Sequence, residues 1–441
     1  MTGWTYYPDL LATPVPRYTS YPTAAEFSDQ VGPRELETAL AAIEAGRPIS
    51  LYVHIPYCHE ICWYCGCNTG AVNKAQRLSG YLDTLRAEIE LVAAKLGGRG
   101  RVKRIAFGGG SPNAISTEQF AELLAKLRTA FLADDASLSI ELDPRSLSAP
   151  WFEAIESAGF GRASLGVQTF DPKVQRAIGR WQPLGLIQIA VGELRRAGVH
   201  SLNFDLMYGL PYQGIDELEA TLEATIEMRP ERIALFGYAH VPHLIPRQRR
   251  IDGSALPDAE LRFAQAELGH RILTHAGYDP IGFDHYALAH DPLSLAARQG
   301  RLRRNFQGFT DDSAELLIGL GASAITQFPG LIVQNEKNAG RYKIRVSSGL
   351  SPATHGIIRD ADDQRRGAVI EQLLCNGEAE LRDVFEPELM ERLRPFLSRG
   401  LATLERGRLR LPGYARPYAR VIAALFDHYR QPAARRFSSA I

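Results

Sequence analysis

Two apolar patterns alternate along the chain, short unbroken runs and spaced stripes. The runs cover residues 51–55, 104–107, 138–142, 162–167, 202–207 and 232–236. Each suits a strand buried on both faces of a parallel sheet. The stripes suit helices. Leu78, Leu82, Leu85, Ile89, Val92 and Leu96 share one helical face, and Gly97-Gly98 ends that segment. Strand-then-helix units joined by right-handed crossovers give an α/β fold, an open sheet or a barrel, whose chemistry gathers beyond the carboxyl ends of the strands.

The uncommon sequences sit at those ends. Cys58 follows the first run, Gly108-Gly109-Gly110 the second, Asp143-Pro144 the third and Gln168 the fourth. Asp205, Tyr208 and Gly209 end the fifth, and Tyr238 and His240 the sixth. Beyond about residue 350 the rhythm changes to helical segments at 362–375 and 387–399, then two short strand-like runs around residues 405–408, which predicts a small winged-helix-like domain over 351–441. Residues 1–48, rich in proline and tyrosine, read as an extended segment laid over the active site of a domain spanning 49–350.

With 45% apolar residues, the 441-residue chain can bury a large core. Its 50 basic and 50 acidic residues are interspersed, so the long-range field that draws a protein to nucleic acid or anionic lipid is missing. Met1-Thr2-Gly3-Trp4 does not open an export signal, and no apolar segment is long enough to span a bilayer. The expectation is a cytoplasmic protein without nucleic-acid or membrane partners. Four of the five cysteines fall within residues 58–67, a spacing that suits metal ligands better than disulfides.

Cys58, Cys62 and Cys65 are spaced C-x3-C-x2-C in one loop, with Trp63 and Tyr64 beside the third. Three thiolates can hold three irons of a cubane and leave the fourth iron open to a small molecule. The alternative is structural zinc, with Cys67, His54 or His59 as fourth ligand. Cys67 follows Cys65 too closely for an easy place on the same cubane and is expected on the substrate side; Cys375 reads as core. The glycines of Gly108-Gly109-Gly110-Ser111 let backbone N–H groups approach a ligand. Of Glu141 and Asp143, one is expected to face the interior and need a partner, either a ligand group or Arg145. Gln168, Arg180 and Asp205 are further polar residues at or beyond strand ends.

These motifs resemble the oxygen-independent coproporphyrinogen III oxidases, a family of the radical S-adenosylmethionine (SAM) superfamily. The resemblance runs through Pro16-Arg17-Tyr18-Thr19-Ser20-Tyr21-Pro22-Thr23, the cysteine loop, Gly166-Val167-Gln168, Asp205-Leu206-Met207-Tyr208-Gly209-Leu210-Pro211, Asn305-Phe306-Gln307-Gly308 and Gly321-Ala322-Ser323-Ala324-Ile325. It implies a partial (β/α)6 barrel and a [4Fe-4S] cluster on Cys58, Cys62 and Cys65. It implies two SAM molecules, one contacted by Tyr52, Gly109, Glu141 and Ile325, the other by Tyr64, Gly110, Ser111, Gln168, Arg180, Asp205 and Ala239. Cys67 matches a cysteine needed for activity that does not ligate the cluster, and Tyr52 is taken with it as catalytic.

The implied reaction is oxidative decarboxylation of two propionates of coproporphyrinogen III to vinyl groups by a 5′-deoxyadenosyl radical, in haem biosynthesis. A monomer with a porphyrinogen substrate, an external reductant and an electron acceptor follows from it. Arg17, Arg162, Arg303 and Arg304 are candidates to meet the substrate carboxylates. Ser111 and Asn113 stand where the family commonly has threonine, and Phe309 where it has tyrosine. The alternatives are a haem chaperone, against which Cys67 and residues 17–23 argue, and a radical enzyme that modifies haem.

Overall fold

The computed structural model describes residues 3–72, 75–382 and 384–430. All six predicted strands are present: β1 (Pro48–Ile55), β2 (Arg101–Gly109), β3 (Ser137–Leu142), β4 (Arg162–Gln168), β5 (Ser201–Tyr208) and β6 (Arg232–Gly237). They pair in parallel in chain order. Helices lie between them, and the stripe on Ala75–Leu96 is buried in the same core as the strands. This is the α/β partial barrel expected.

The sheet extends past the predicted six. A further strand, β7 (Leu316–Leu320), pairs in parallel with β1, and five antiparallel strands flank the parallel set to make twelve. Between these two ends of the sheet reaches a hairpin, Arg303–Asn305 with Gly308–Thr310. Phe306 in its turn stands edge-on to Tyr52 of β1 at 4.7 Å, while Phe309 meets His285 beyond β6 at 5.2 Å. At the start of the strands, Asp311 receives Arg104 at 2.9 Å and Arg162 at 2.7 Å, with Arg232 at 3.8 Å, and so forms a charged floor beneath the barrel.

The N-terminal stretch is extended only in part. Pro33–Ala41 is a helix, started by Pro33 where a helix needs no N–H and by Glu35 accepting from the Gly32 N–H. Upstream, Leu10, Leu11, Val15, Tyr18 and Tyr21 enter a second apolar cluster made mainly by the C-terminal domain. There the helices Ala361–Asn376 and Pro387–Leu397 pack with a small sheet that has three strands, Glu378–Glu380, Arg408–Arg410 and Thr403–Glu405, one more than the hairpin predicted. No helix among the described residues is long and apolar enough to cross a membrane.

Candidate active site

The cysteine loop is held at both ends. Tyr57–Cys58 pairs with Gly70–Ala71, and the N–H groups of Gly110 and Ser111 donate to the carbonyls of Ile55 and Tyr57, each at 2.8 Å. A Cβ at Gly110 would come within 2.5 Å of the Tyr57 carbonyl, and one at Gly109 within 2.7 Å of the His54 ring. The glycine run therefore serves close approach of β2 to the loop.

Each of the three spaced cysteines has a hydrogen-bond partner at its sulfur. The Thr69 hydroxyl lies 3.3 Å from Cys58, the Cys67 N–H reaches Cys65 at 3.4 Å, and Cys62 receives Arg180 at 3.2 Å and Arg145 at 3.4 Å. Donors of this kind stabilise thiolates on iron, so the chain's chemistry here fits a cluster. Cys67 is exposed, and Cys375 is buried in the C-terminal core as expected. His59 is exposed. His54 is engaged elsewhere, with its Nδ1 at 3.2 Å from the Tyr52 hydroxyl and its Nε2 at 3.3 Å from Ser323, and burial lowers its pKa to about 4.

Glu141 and Asp143 both face this site, where one was expected to: Glu141 lies on β3 and Asp143 just beyond its end. Their surroundings differ. Asp143 meets Arg145 at 2.6 Å, the bland pairing considered from sequence, and Arg180 at 3.2 Å. Burial raises its carboxyl, but the two guanidiniums more than reverse that and hold it below the usual range. Glu141 accepts the Gly109 N–H at 3.2 Å; burial, then the charge of Asp205, push it to about 7. Asp205 lies inside β5 rather than at its end, accepting from Ser164 at 3.1 Å and Asn203 at 2.8 Å, and burial raises it too.

Arg180 also donates to the Gly166 carbonyl at 2.6 Å. Beside it Gln168, at φ +67°, ends β4 just after a break in register. Ser111 donates to Asn113, whose amide brackets the backbone of Asp143 through Oδ1 at 3.0 Å and Nδ2 at 2.9 Å. Gln248 ties the carbonyls of Tyr64 and Ala239 together at 2.9 and 3.0 Å. Ile325 packs its backbone against Gly319, the neighbour of Tyr52 across β7 and β1. Thus the residues expected to hold the cluster or SAM lie at or near the carboxyl ends of the strands or along the barrel interior, whereas Cys375 lies in the C-terminal core, Arg162 at the opposite end and Arg303 against Glu371. Thr69, Asn113 and Gln248 were missed as contributors; Arg145 was seen only as a partner for Asp143.

A cavity of about 310 Å³ runs down the barrel, lined by Glu141, Asp205, Ser164, Phe236, His285 and Phe309. Of the arginines expected to meet substrate, Arg162 lines this cavity with its guanidinium paired to Asp311, and Arg303 pairs with Glu371 at 2.9 Å.

The Radical SAM superfamily model matches residues 52–225, the stretch from β1 to beyond β5. The oxygen-independent coproporphyrinogen III oxidase of Bradyrhizobium diazoefficiens is 42% identical over 97% of each chain, and that of Escherichia coli K12 is 36% identical over 95% of this chain and 94% of its own. The solved structure of coproporphyrinogen III oxidase (HemN) from Escherichia coli, a radical SAM enzyme, superimposes with a TM-score of 0.91 at 34% identity, covering 97% of this chain and all of that one. With a three-thiol loop at the head of a partial barrel and likeness over its whole length, the chain belongs to the oxygen-independent coproporphyrinogen III oxidases of the radical SAM superfamily.

Proposed function

We propose that the chain carries out its family's reaction, the oxygen-independent conversion of coproporphyrinogen III to protoporphyrinogen IX, at the head of the barrel cavity. The observation that carries this is the set of hydrogen-bond partners on the sulfurs of Cys58, Cys62 and Cys65, in a barrel whose interior cavity is lined by Glu141 and Asp205. Those three cysteines would hold the cluster. Tyr52, Gly109, Glu141 and Ile325 would contact the SAM bound to it, and Tyr64, Gly110, Ser111, Gln168, Arg180, Asp205 and Ala239 a second. When bound, the cluster and SAM supply an electron and a 5′-deoxyadenosyl radical that takes a hydrogen atom from the propionate carbon next to the ring.

The chain's own residues position and shield. Glu141, with its pKa near 7, can accept from a ribose hydroxyl or an amino group at modest desolvation cost. Arg180 and Arg145 fix Asp143 and place positive charge at Cys62. Tyr52 and Phe306 close the β1 side against water. Cys67 is exposed; its backbone N–H donates to Cys65, and its thiol would act toward substrate. Loss of carbon dioxide leaves one electron per propionate, so an external acceptor is needed as well as a reductant. A cytoplasmic monomer suits a site assembled from one chain with free thiols.

The test is anaerobic incubation of cluster-reconstituted protein with coproporphyrinogen III, SAM and a reductant. Protoporphyrinogen should form with 5′-deoxyadenosine. Cofactor cleavage without loss of carbon dioxide would remove the substrate assignment. A Cys67→Ser variant should lose turnover yet keep its iron; a matching loss of iron would make Cys67 a ligand.

A further inference from the structure

Five guanidinium groups gather where the N-terminal segment, the end of β6 and the C-terminal domain meet. Arg17, Arg416 and Arg420 line a cleft of about 50 Å³ together with Tyr208, Phe283 and Asp284. Arg304 and Arg420 both stand over the Phe283 ring, at 4.8 and 5.4 Å. Arg262 lies against Gly209 and Gly237, its guanidinium 3.2 and 3.3 Å from where a Cβ would be. Against these cations, Asp284 is the only carboxylate lining the cleft among the described residues, and it is already engaged by His285 at 2.6 Å.

Three of the five keep an unpaired nitrogen among the described residues. Arg17 donates to the Gly237 carbonyl at 2.7 Å, Arg304 to the carbonyls of Arg17 and Tyr18, and Arg416 to that of Pro280 at 3.3 Å. Yet the Nε of Arg262, the Nη1 of Arg304 and the Nη1 of Arg416 are buried with no hydrogen-bond partner among the described residues. Arg304 is itself only 8% exposed. Several buried or half-buried cations facing one carboxylate are costly, and an anionic ligand relieves that cost.

Position supplies the ligand. Phe236 and His285 wall the barrel cavity, and their chain neighbours Gly237 and Asp284 wall the cleft, so the two spaces adjoin. Arg17 stands over the Phe236 ring at 5.4 Å, at the boundary. We propose that this arginine cluster receives substrate propionates, in particular those that keep their carboxylates while another is presented at the radical end of the cavity. The inference rests on the proposed function and deepens it. Coproporphyrinogen III carries four propionates and loses two carboxylates, so the two retained ones are constant handles through both turnovers. Of the arginines expected from sequence, Arg17 and Arg304 belong to this cluster, while Arg162 and Arg303 do not.

Full-length, cluster-containing enzyme with Arg17→Gln or Arg416→Gln should show a KM for coproporphyrinogen III raised about tenfold or more, as expected for lost charged hydrogen bonds. KM for SAM should not move, and release of the singly decarboxylated product should rise. Arg17→Lys and Arg416→Lys should recover much of the affinity, which a packing defect would not allow; iron content and far-UV circular dichroism confirm folding. If the wild type turns over but the glutamine variants keep its porphyrinogen KM, or raise KM for SAM instead, the cluster is not the propionate site. If the wild type itself does not turn over coproporphyrinogen III, the proposed function fails first.

Discussion

The Nη1 of Arg180 stands 3.2 Å from the Sγ of Cys62, and its Nη2 holds Asp143 at 3.2 Å and the Gly166 carbonyl at 2.6 Å. One planar fork thus links the cysteine loop, the end of β3 and the end of β4. An ammonium cannot span three such acceptors. Arg180→Lys and Arg180→Gln should both lower kcat/KM, by about tenfold to a hundredfold for loss of a charged hydrogen bond. The cluster should also become harder to reduce, since a cation and a donor to sulfur favour the reduced state. A redox titration followed by electron paramagnetic resonance reads this directly. An unchanged potential in both variants would mean that Arg180 acts on neither sulfur nor electron transfer.

Behind the site, Glu88 is buried and accepts from Tyr342 at 2.6 Å, Gly321 at 2.7 Å and Asn335 at 2.7 Å. Burial, only partly offset by these donors, raises its pKa from 4.5 to about 7. The folded state therefore binds a proton that the unfolded chain releases, so this part of the stability is full below pH 4.5 and is lost as pH rises through 7. At about 1.4 kcal/mol per pH unit, the loss is on the order of 3 kcal/mol. Urea unfolding of cluster-free protein should show that decline, and Glu88→Gln should flatten it while lowering stability at pH 5, because its amide meets the Asn335 amide. A decline of equal slope in the variant would assign it to other groups.

What the sequence disclosed and what it hid divide on physical lines. The six strands and the cysteine loop were legible because burial on both faces and ligand spacing are local signals. The strand Leu316–Leu320 is equally apolar, but its pairing with β1 is a contact between distant segments, and no periodicity announces it. Only the structure shows that Asp143, just past the end of β3, takes both arginines, while Glu141 on the strand faces Asp205. Glu88 was hidden because a polar residue on an apolar helical stripe reads as surface until its partners, at positions 321, 335 and 342, fold back over it. Asn113, a departure from the family's threonine, proves to clasp the Asp143 backbone, and Phe309 packs between His285 and Arg304.

The floor of the barrel makes a separate prediction. Asp311 is 8% exposed and meets Arg104 and Arg162, with Arg232 close by, and their hydrogen bonds and charges outweigh its burial to hold its carboxyl far below the usual range. Asp311→Asn would leave Arg104 and Arg162 facing a neutral amide, with Arg232 still held by Asp291 at 2.8 Å. Removing one partner from a buried ion pair typically costs about 3 to 5 kcal/mol. The urea midpoint should fall accordingly, at unchanged iron per folded chain, since the cysteines lie at the opposite end. A midpoint equal to wild type would show that Asp312, 3.7 Å from Arg104, carries the floor instead.

Two glycines beside the cysteine loop should respond in opposite ways to the same substitution. A Cβ at Gly110 would lie 2.5 Å from the Tyr57 carbonyl oxygen, 2.6 Å from the Thr69 hydroxyl and 2.7 Å from the Tyr57 nitrogen, whereas one at Gly70 meets nothing within 4 Å. The Tyr57 backbone cannot yield without shifting Cys58, and moving Thr69 removes the hydrogen-bond partner at its sulfur. Gly110→Ala should therefore weaken cluster retention by about tenfold or more, as loss of supporting contacts around metal ligands does. Gly70→Ala should keep both iron and the absorption band near 400 nm. Iron and sulfide assays on anaerobically reconstituted variants decide it: equal retention in both would show that the approach of the glycine run to the loop does not position Cys58.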